Sequence, residues 1–138
     1  MKDETVHGSS ALLFLDGDNF KLINDNWGHA AGDKVLIEVA SRLMAFVGKQ
    51  HQAWRLGGDE FAILLRNVHT EAEVQALCSA LSEQFIPPFN LHNGHTVRLS
   101  LSIGYALTWE HASAENLQEL ADQNMYRMKH QRLQRTQK

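Results

Sequence analysis

Residues 53–65 read AWRLGGDEFAILL, with short apolar-rich runs on both sides of a glycine pair. This pattern predicts two strands, Ala53–Leu56 and Glu60–Leu65, joined by a tight turn. Gly57 and Gly58 would let a backbone or a phosphate approach closely, and two acids follow them at once. Adjacent like charges repel in a hairpin, so a nearby cation would resolve the conflict. A plain type I′ turn with solvated acids is the alternative at this point.

Strand and helix patterns alternate on either side of this hairpin. Apolar runs predict strands, and apolar residues at helical spacing predict helices. The further predicted elements are a strand at Ala11–Leu15, helices at Phe20–Asn26, Ala31–Val47 and Glu71–Phe85, strands at Phe89–His92 and His95–Leu107 around an Asn93-Gly94 turn, and a helix from Ser113 past Met128. This order predicts an α/β (α+β) domain with a mixed, mostly antiparallel central sheet flanked by helices.

The bulk composition indicates one ordinary globular domain. The chain has 138 residues, 43% of them hydrophobic, and a formal net charge of -3, so no general basic surface would attract nucleic acid. The basic residues at 127–138 are interpreted as a solvated helix end. The single cysteine, Cys78, is expected to be a small core hydrophobe, as suits a reducing compartment. Residues 1–10 are expected to be a disordered or junction segment, and 11–138 the domain.

Membrane and export signals are missing from the printed sequence. No apolar run has the length of a membrane span, and no signal peptide opens the chain. We therefore expect no direct membrane contact by this domain.

Two acids follow the first predicted strand. Asp16 and Asp18 are two residues apart, so both carboxylates can leave the same face, where hard cations such as Mg²⁺ would bind. Acids after a strand also commonly form turns, which is the alternative. If the hairpin lies beside the first strand, Asp16 and Asp59 could hold metal ions between them. Such metals are the recurring solution for nucleotidyl transfer.

The segment after these acids has features that suit a nucleotide. The backbone N–H groups of Asn19 and Phe20 could face phosphate, and Lys21 could supply positive charge. Asn24 and Asp33 lie on either side of a glycine–histidine turn. Their side chains match the hydrogen-bonding edge of guanine, with local helix capping as the alternative.

Several motifs in this order resemble the GGDEF family of diguanylate cyclases. The resemblance runs from Ala11 to about His130, and enterobacterial inner-membrane members of the family are particularly similar. The matching stretches are Asp16–Asp25, Gly28-His29, Gly32-Asp33, Arg55–Phe61, Leu101–Gly104 and Ala121–Lys129.

The resemblance implies a palm-like fold, similar to nucleotide cyclase and polymerase palm domains, and a set of site residues. Asp16, the Gly17 carbonyl and Asp59 would bind Mg²⁺ or Mn²⁺. Glu60 would be a further metal ligand or the general base, with Asp59 as the competitor for that base. Lys21 would be a catalytic residue, and with Lys129 it would hold phosphates and stabilise charge as pyrophosphate leaves. The other implied substrate residues are Asn19 and Phe20 near phosphate, Asn24 and Asp33 on guanine, and His29 in the nucleoside pocket.

The implied reaction joins two GTP molecules into cyclic di-GMP and two pyrophosphates. It would need a homodimer, because each domain would hold one GTP. The resemblance also implies an upstream sensor domain and a cytoplasmic location within an inner-membrane parent protein, with no nucleic-acid partner. The alternative is a catalytically silent GTP-binding module that regulates a partner.

The chain departs from the family pattern in three places. The usual leading segment Asp-x-Leu-Thr-Gly-Leu-x-Asn-Arg has no match in residues 1–10, so the family's N-terminal helix is expected to be missing and Arg55 to lose a partner. The positions of the Arg-x-x-Asp product-inhibition motif hold Gly48, Lys49, Gln50 and His51, which predicts no tight feedback site. The family's late Gly-Arg is replaced by Arg132-Leu133.

Overall fold

The computed structural model describes residues 10–110 and, singly, Glu119 and Gln123. Its regular elements follow the predicted order from the first strand to the last. They are β1 Ser10–Gly17, α1 Phe20–Trp27, α2 His29–Val47, β2 Gln52–Gly57, β3 Glu60–Arg66, α3 Glu71–Glu83, β4 Phe89–Asn90, a 3₁₀ turn His92–Gly94, β5 Thr96–Val97, β6 Leu101–Leu107 and a 3₁₀ turn Thr108–Glu110.

The main sheet has the strand order β2-β3-β1-β6, and each neighbouring pair is antiparallel. β1 is therefore central, which explains its almost continuous apolar sequence. Its residues Ala11, Leu13 and Leu15 face the main core, while Phe14 packs in a small cluster on the opposite face. The predicted α+β class with a mostly antiparallel sheet is confirmed, and in residues 10–110 no parallel pair makes the main sheet a mixed one.

The helices contribute regularly spaced residues to the same core. α2 buries Val35, Val39, Leu43 and Val47, one on each successive turn. On α3, the partly buried Cys78 packs against this core, as predicted. Burial raises the pKa of its thiol to about 11, so Cys78 is an unreactive thiol at neutral pH.

The prediction of one long strand at His95–Leu107 was wrong. β4 and β5 form a separate two-stranded sheet, in which Phe89 pairs with Val97. The connection between them is a 3₁₀ turn rather than a two-residue hairpin turn. Residues 98–100 then leave the strand conformation before β6 joins the main sheet. The helix predicted from Ser113 lies almost wholly outside the described residues, although Glu119 and Gln123 are helical.

Arg42 of α2 holds the segment that follows α3 in place. Its guanidinium donates to the carbonyl oxygens of Gln84, Pro87 and Pro88 at 3.2, 2.8 and 3.0 Å. It also lies 3.8 Å from the ring centre of Phe89, within cation–π range. The planar group with five donors can satisfy all these contacts together, which a lysine ammonium cannot.

We expect the substitution Arg42→Lys to lower the free energy of unfolding by about 2 kcal/mol, because several hydrogen bonds and the ring contact are lost together. Urea unfolding would measure the change. Arg66→Lys is the matched control, since Arg66 is exposed and its guanidinium donates to the Gln52 side chain on the surface. If both variants lose the same stability, Arg42 does not fasten this segment.

Across residues 10–110, no helix is both long enough and apolar enough to cross a membrane.

Candidate active site

Acidic residues meet where β1 ends beside the hairpin of β2 and β3. The strand register places Asp16 opposite Glu60. The next residue along, Gly17, donates its N–H to the carbonyl oxygen of Asp59 at 3.4 Å. Asp16 is only 9% exposed, whereas the Glu60 side chain is exposed. The hairpin therefore lies beside the first strand, which was the condition for a metal site shared by Asp16 and Asp59.

The turn between β2 and β3 depends on its glycines and on Arg55. Gly57 and Gly58 have φ values of 151° and 52°, where side chains are strained. Asp59 does not have a positive φ, so the turn is not type I′. The Arg55 guanidinium donates twice to the Gly58 carbonyl, at 2.9 and 2.6 Å. Arg55 thus has a partner within the hairpin itself, which the sequence did not indicate.

The loop after β1 is tied to the start of β6. The hydroxyl of the fully buried Ser102 donates to Oδ1 of Asp18 at 2.6 Å. The Asn19 amide donates to the Arg98 carbonyl at 2.9 Å and accepts from the Ser100 N–H at 3.0 Å. The roles of Ser102 and of the Asn19 side chain were missed from sequence. The available signal was a serine within an otherwise apolar strand, where a buried polar group needs a partner.

Asn24 and Asp33 lie on either side of the junction between α1 and α2. The Gly28 N–H donates to the Asn24 carbonyl at 2.8 Å and ends α1. α2 begins without a side-chain capping bond, so Asp33 does not cap it. Asn24 is partly buried, while Asp33 and His29 are exposed.

Asp33 also lines a cavity of about 470 Å³ between α2 and β2, whose other lining is largely apolar.

Of the two lysines predicted to contact phosphate, the structure describes Lys21. Lys21 lies in the first turn of α1, and its Nζ is 4.0 Å from the Asp25 carboxylate. Both side chains are largely exposed, so this ion pair contributes little to stability. Lys21 is therefore able to leave Asp25 for a stronger anion. Lys129 lies outside the described residues.

The donors at the strand edge suit a hard cation. The Asp16 and Asp59 carboxylates and the Gly17 carbonyl supply oxygen only, which is what Mg²⁺ and Mn²⁺ prefer. Within the described part of the chain, no group of three or more His, Cys, Asp or Glu side chains is arranged to hold a metal ion. A metal here would accordingly need backbone, water or substrate oxygens as further ligands, which is usual for Mg²⁺ with a triphosphate.

His51, at the last position of the product-inhibition motif, has a structural contact. Its Nδ1 accepts the Arg66 N–H at 3.0 Å, next to the sheet edge. Burial, and then the nearby Arg66 charge, lower the pKa of His51 below its ordinary value of 6.5. The neutral ring is thus the form that the fold favours.

We expect this histidine to make stability depend on pH. Because its folded pKa is lowered, its contribution is fully present above pH 6.5 and is lost as pH falls through the folded pKa. Urea midpoints at pH 7.5 and 5.5 should therefore differ more for the wild type than for His51→Asn, whose amide oxygen can accept the same bond. Equal pH dependence in the two proteins would exclude His51 as the cause.

The domain has an antiparallel sheet with helices on one face and acidic residues at the end of its central strand. This arrangement defines an α+β domain of the palm-like class. The family described as "Diguanylate cyclase, GGDEF domain" matches residues 1–135. The chain therefore belongs to the GGDEF family of diguanylate cyclases, as its motifs indicated.

Curated relatives agree with this assignment. The chain is 64% identical over 132 residues to diguanylate cyclase DgcN of Escherichia coli, covering 96% of this chain and 32% of that protein. It is 41% identical over 133 residues to diguanylate cyclase TpbB of Pseudomonas aeruginosa PAO1, covering 95% of this chain and 31% of the relative. The chain thus spans about a third of the length of these relatives.

Solved structures give the same result. The GGDEF domain of PA1120 (YfiN or TpbB) from Pseudomonas aeruginosa has a TM-score of 0.85 at 41% identity, with 91% of this chain and 78% of that chain covered. The particular similarity to enterobacterial members of the family is confirmed by the Escherichia coli relative. The GGDEF domain of DgcB from Caulobacter crescentus, in complex with c-di-GMP, has a TM-score of 0.81 at 27% identity over 93% of this chain and 77% of that chain.

Proposed function

We propose that this domain condenses two GTP molecules into cyclic di-GMP and two pyrophosphates. The observation that supports it best is that Asp16, Gly17 and Asp59 come together at the end of β1, through the register of β1 with β3. Oxygen donors so placed suit the metal ions that nucleotidyl transfer requires. The family assignment and the named relatives support the same reaction class.

In this proposal Asp16, the Gly17 carbonyl and Asp59 hold Mg²⁺ or Mn²⁺, with Glu60 able to complete the set. The bound metal would polarise the phosphate oxygens and neutralise charge as pyrophosphate leaves. Asp16 is buried at the strand end, so its position is fixed by the sheet. Glu60 lies opposite it but is exposed, which leaves its carboxylate free to turn toward substrate.

The nucleotide would lie across the start of α1 and the α1–α2 junction. Lys21 would exchange Asp25 for the phosphates, and the backbone N–H groups of Asn19 and Phe20 would face them at the helix start. Asn24 and Asp33 would read the guanine edge, with His29 beside the nucleoside. Lys129 is proposed as a second phosphate contact on sequence grounds alone.

The chemistry needs a base, a leaving group and a second domain. Each ribose 3′-hydroxyl would lose its proton to Glu60, with Asp59 as the competing base, and attack the α-phosphorus of the other GTP. A new oxygen–phosphorus bond forms as the bond to the β-phosphate oxygen breaks and pyrophosphate leaves. Since one domain supplies one half-site, two copies must face each other. Most of the acceleration would come from positioning and electrostatics.

Turnover of GTP with Mg²⁺ tests this proposal, with cyclic di-GMP and pyrophosphate measured as products. Pyrophosphate should form in a 2:1 ratio to cyclic di-GMP. Dilution should lower the total rate more steeply than linearly, because active dimers dissociate. Binding of GTP without any product, even in a longer chain that includes the upstream segment, would instead favour a silent GTP-binding module. A strictly linear loss on dilution would count against the homodimer.

The wider setting of the domain is also proposed. The relatives are about three times as long as this chain, which supports an upstream sensor domain in the parent protein. We place this domain on the cytoplasmic side of an inner-membrane parent, where GTP is available. With Gly48 to His51 in place of the product-inhibition motif, we propose that cyclic di-GMP does not bind tightly there.

A further inference from the structure

Gly32 lies at a point of close packing between α1 and α2. It is buried in the second turn of α2, and a Cβ added there would overlap Oδ1 of Asn24. The same Cβ would lie 2.8 Å from Cγ of Asn24 and 3.3 Å from Cζ of Phe20. Gly32 does not have a positive φ, so its backbone conformation is open to any residue. The glycine is therefore needed here for space, and the space is filled by the Asn24 amide.

Backbone hydrogen bonds fix the spacing of these two residues. The Gly28 N–H donates to the Asn24 carbonyl at 2.8 Å, and the Gly32 N–H donates to the Gly28 carbonyl at 3.1 Å. The two bonds form a chain across the α1–α2 junction. α1 cannot slide along α2 to make room without breaking them, so a side chain at position 32 must displace the Asn24 side chain instead.

We infer that Gly32 is a specificity-determining position, which sets where the Asn24 amide lies and hence which base the site accepts. The inference rests on the proposed function only in that Asn24 reads the guanine edge. Gly32 itself has no side chain that could touch a base, so it is a positioning residue. Its effect is exerted through the side chain of Asn24.

Stability and specificity should respond to Gly32→Ala in ways that can be separated. Alanine favours a helix more than glycine does. Without Asn24 in the way, the substitution should stabilise the protein. With Asn24 present, the added methyl group must push the amide aside, and the gain should be reduced or reversed. Comparing the effect of Gly32→Ala on stability with and without Asn24→Ala therefore distinguishes a displaced Asn24 amide from a general packing defect.

The experiment compares wild type, Gly32→Ala, Asn24→Ala and the double variant. Binding of GTP and ATP is measured with Mg²⁺ by competition at low temperature, without relying on turnover, and thermal unfolding is measured alongside. Asn24→Ala should lower the preference for GTP over ATP about 10-fold, as expected for one lost hydrogen bond. Gly32→Ala should lower it by a similar factor, and the double variant should be no worse than Asn24→Ala. Ala30→Ser, at an exposed position in the same helix, is the matched control and should keep the wild-type preference.

Three results would overturn the inference. One is that Gly32→Ala keeps the wild-type preference for GTP over ATP while Asn24→Ala loses that preference. Another is an equal loss of thermal stability from Gly32→Ala with and without Asn24, because the space would then serve something other than the amide. The third is an unchanged preference in Asn24→Ala. If instead these binding effects appear but no cyclic di-GMP is ever formed, the inference stands and the proposed reaction fails.

Discussion

Replacing Asp16 with asparagine should reduce cyclic di-GMP formation at least about 1000-fold, because the loss of a metal-binding charge removes several kcal/mol of transition-state stabilisation. Asparagine has nearly the shape of aspartate, so the buried end of β1 can keep its packing. Initial rates at saturating GTP and Mg²⁺ would measure the loss. Glu83→Gln, at an exposed position on α3, removes the same charge from a residue outside the candidate site and is the control.

The same substitution should raise stability when metal is absent. Asp16 lies directly opposite Glu60, and like charges so placed destabilise a strand pair by a few tenths of a kcal/mol or more. In EDTA the melting temperature of Asp16→Asn should therefore equal or exceed that of the wild type. Added Mg²⁺ should stabilise the wild type and leave the variant unchanged. A variant that melts well below the wild type in EDTA would show that Asp16 is mainly structural, and retained activity would remove it from the metal site.

Replacing Ser102 with alanine should weaken metal binding, although Ser102 is not proposed as a metal ligand. Loss of the hydroxyl removes one charge-assisted hydrogen bond to the Asp18 carboxylate, at a cost of about 1.5–3 kcal/mol in unfolding free energy. Asp18 directly follows Gly17, so a looser loop should also misplace the Gly17 carbonyl. Loss of such a supporting bond typically lowers metal affinity 10–100-fold. The Mg²⁺ concentration that gives half-maximal rate should rise accordingly.

Ser100→Ala is the matched control for this prediction. Ser100 lies two residues earlier and joins the loop through its backbone, which accepts from the Asp18 N–H and donates to the Asn19 amide. Alanine keeps both bonds, so its Mg²⁺ requirement should match the wild type. If Ser102→Ala lowers stability but keeps the wild-type Mg²⁺ requirement, the hydroxyl supports the fold and not the metal site.

Most of the fold followed from local patterns. The apolar run of β1 and the helical spacing in α2 and α3 are strong signals, because one face or the whole element is buried. The Asn93-Gly94 pair was misleading, since the residues around it form a 3₁₀ turn and β5 has only two residues. Directly after β5, the backbone of residues 98–100 hydrogen-bonds the Asn19 amide, which is a long-range contact. Local propensity carries no information about such a contact.

The candidate site could be predicted to the extent that its residues stand in motifs. Asp16 and the Gly57-Gly58-Asp59-Glu60 turn could be named from sequence, and the strand register brings them together. The supporting contacts were not predictable, because Ser102 and Asp18 are 84 residues apart. Gly32 illustrates another limit. In sequence, a glycine that is needed for close packing cannot be told from a glycine that is needed for a turn. The two are distinguished only by the position of the neighbouring side chain in the structure.

The ties between the loop after β1 and the start of β6 have a consequence for synthesis on the ribosome. Asp18 and Asn19 emerge from the ribosome before their partners Arg98, Ser100 and Ser102, which are translated about 80 residues later. Until β6 has emerged, the acidic loop lacks these contacts with Arg98, Ser100 and Ser102. A chain translated only as far as the GGDEF turn would therefore lack these contacts, and we expect its acidic loop not to hold a nucleotide.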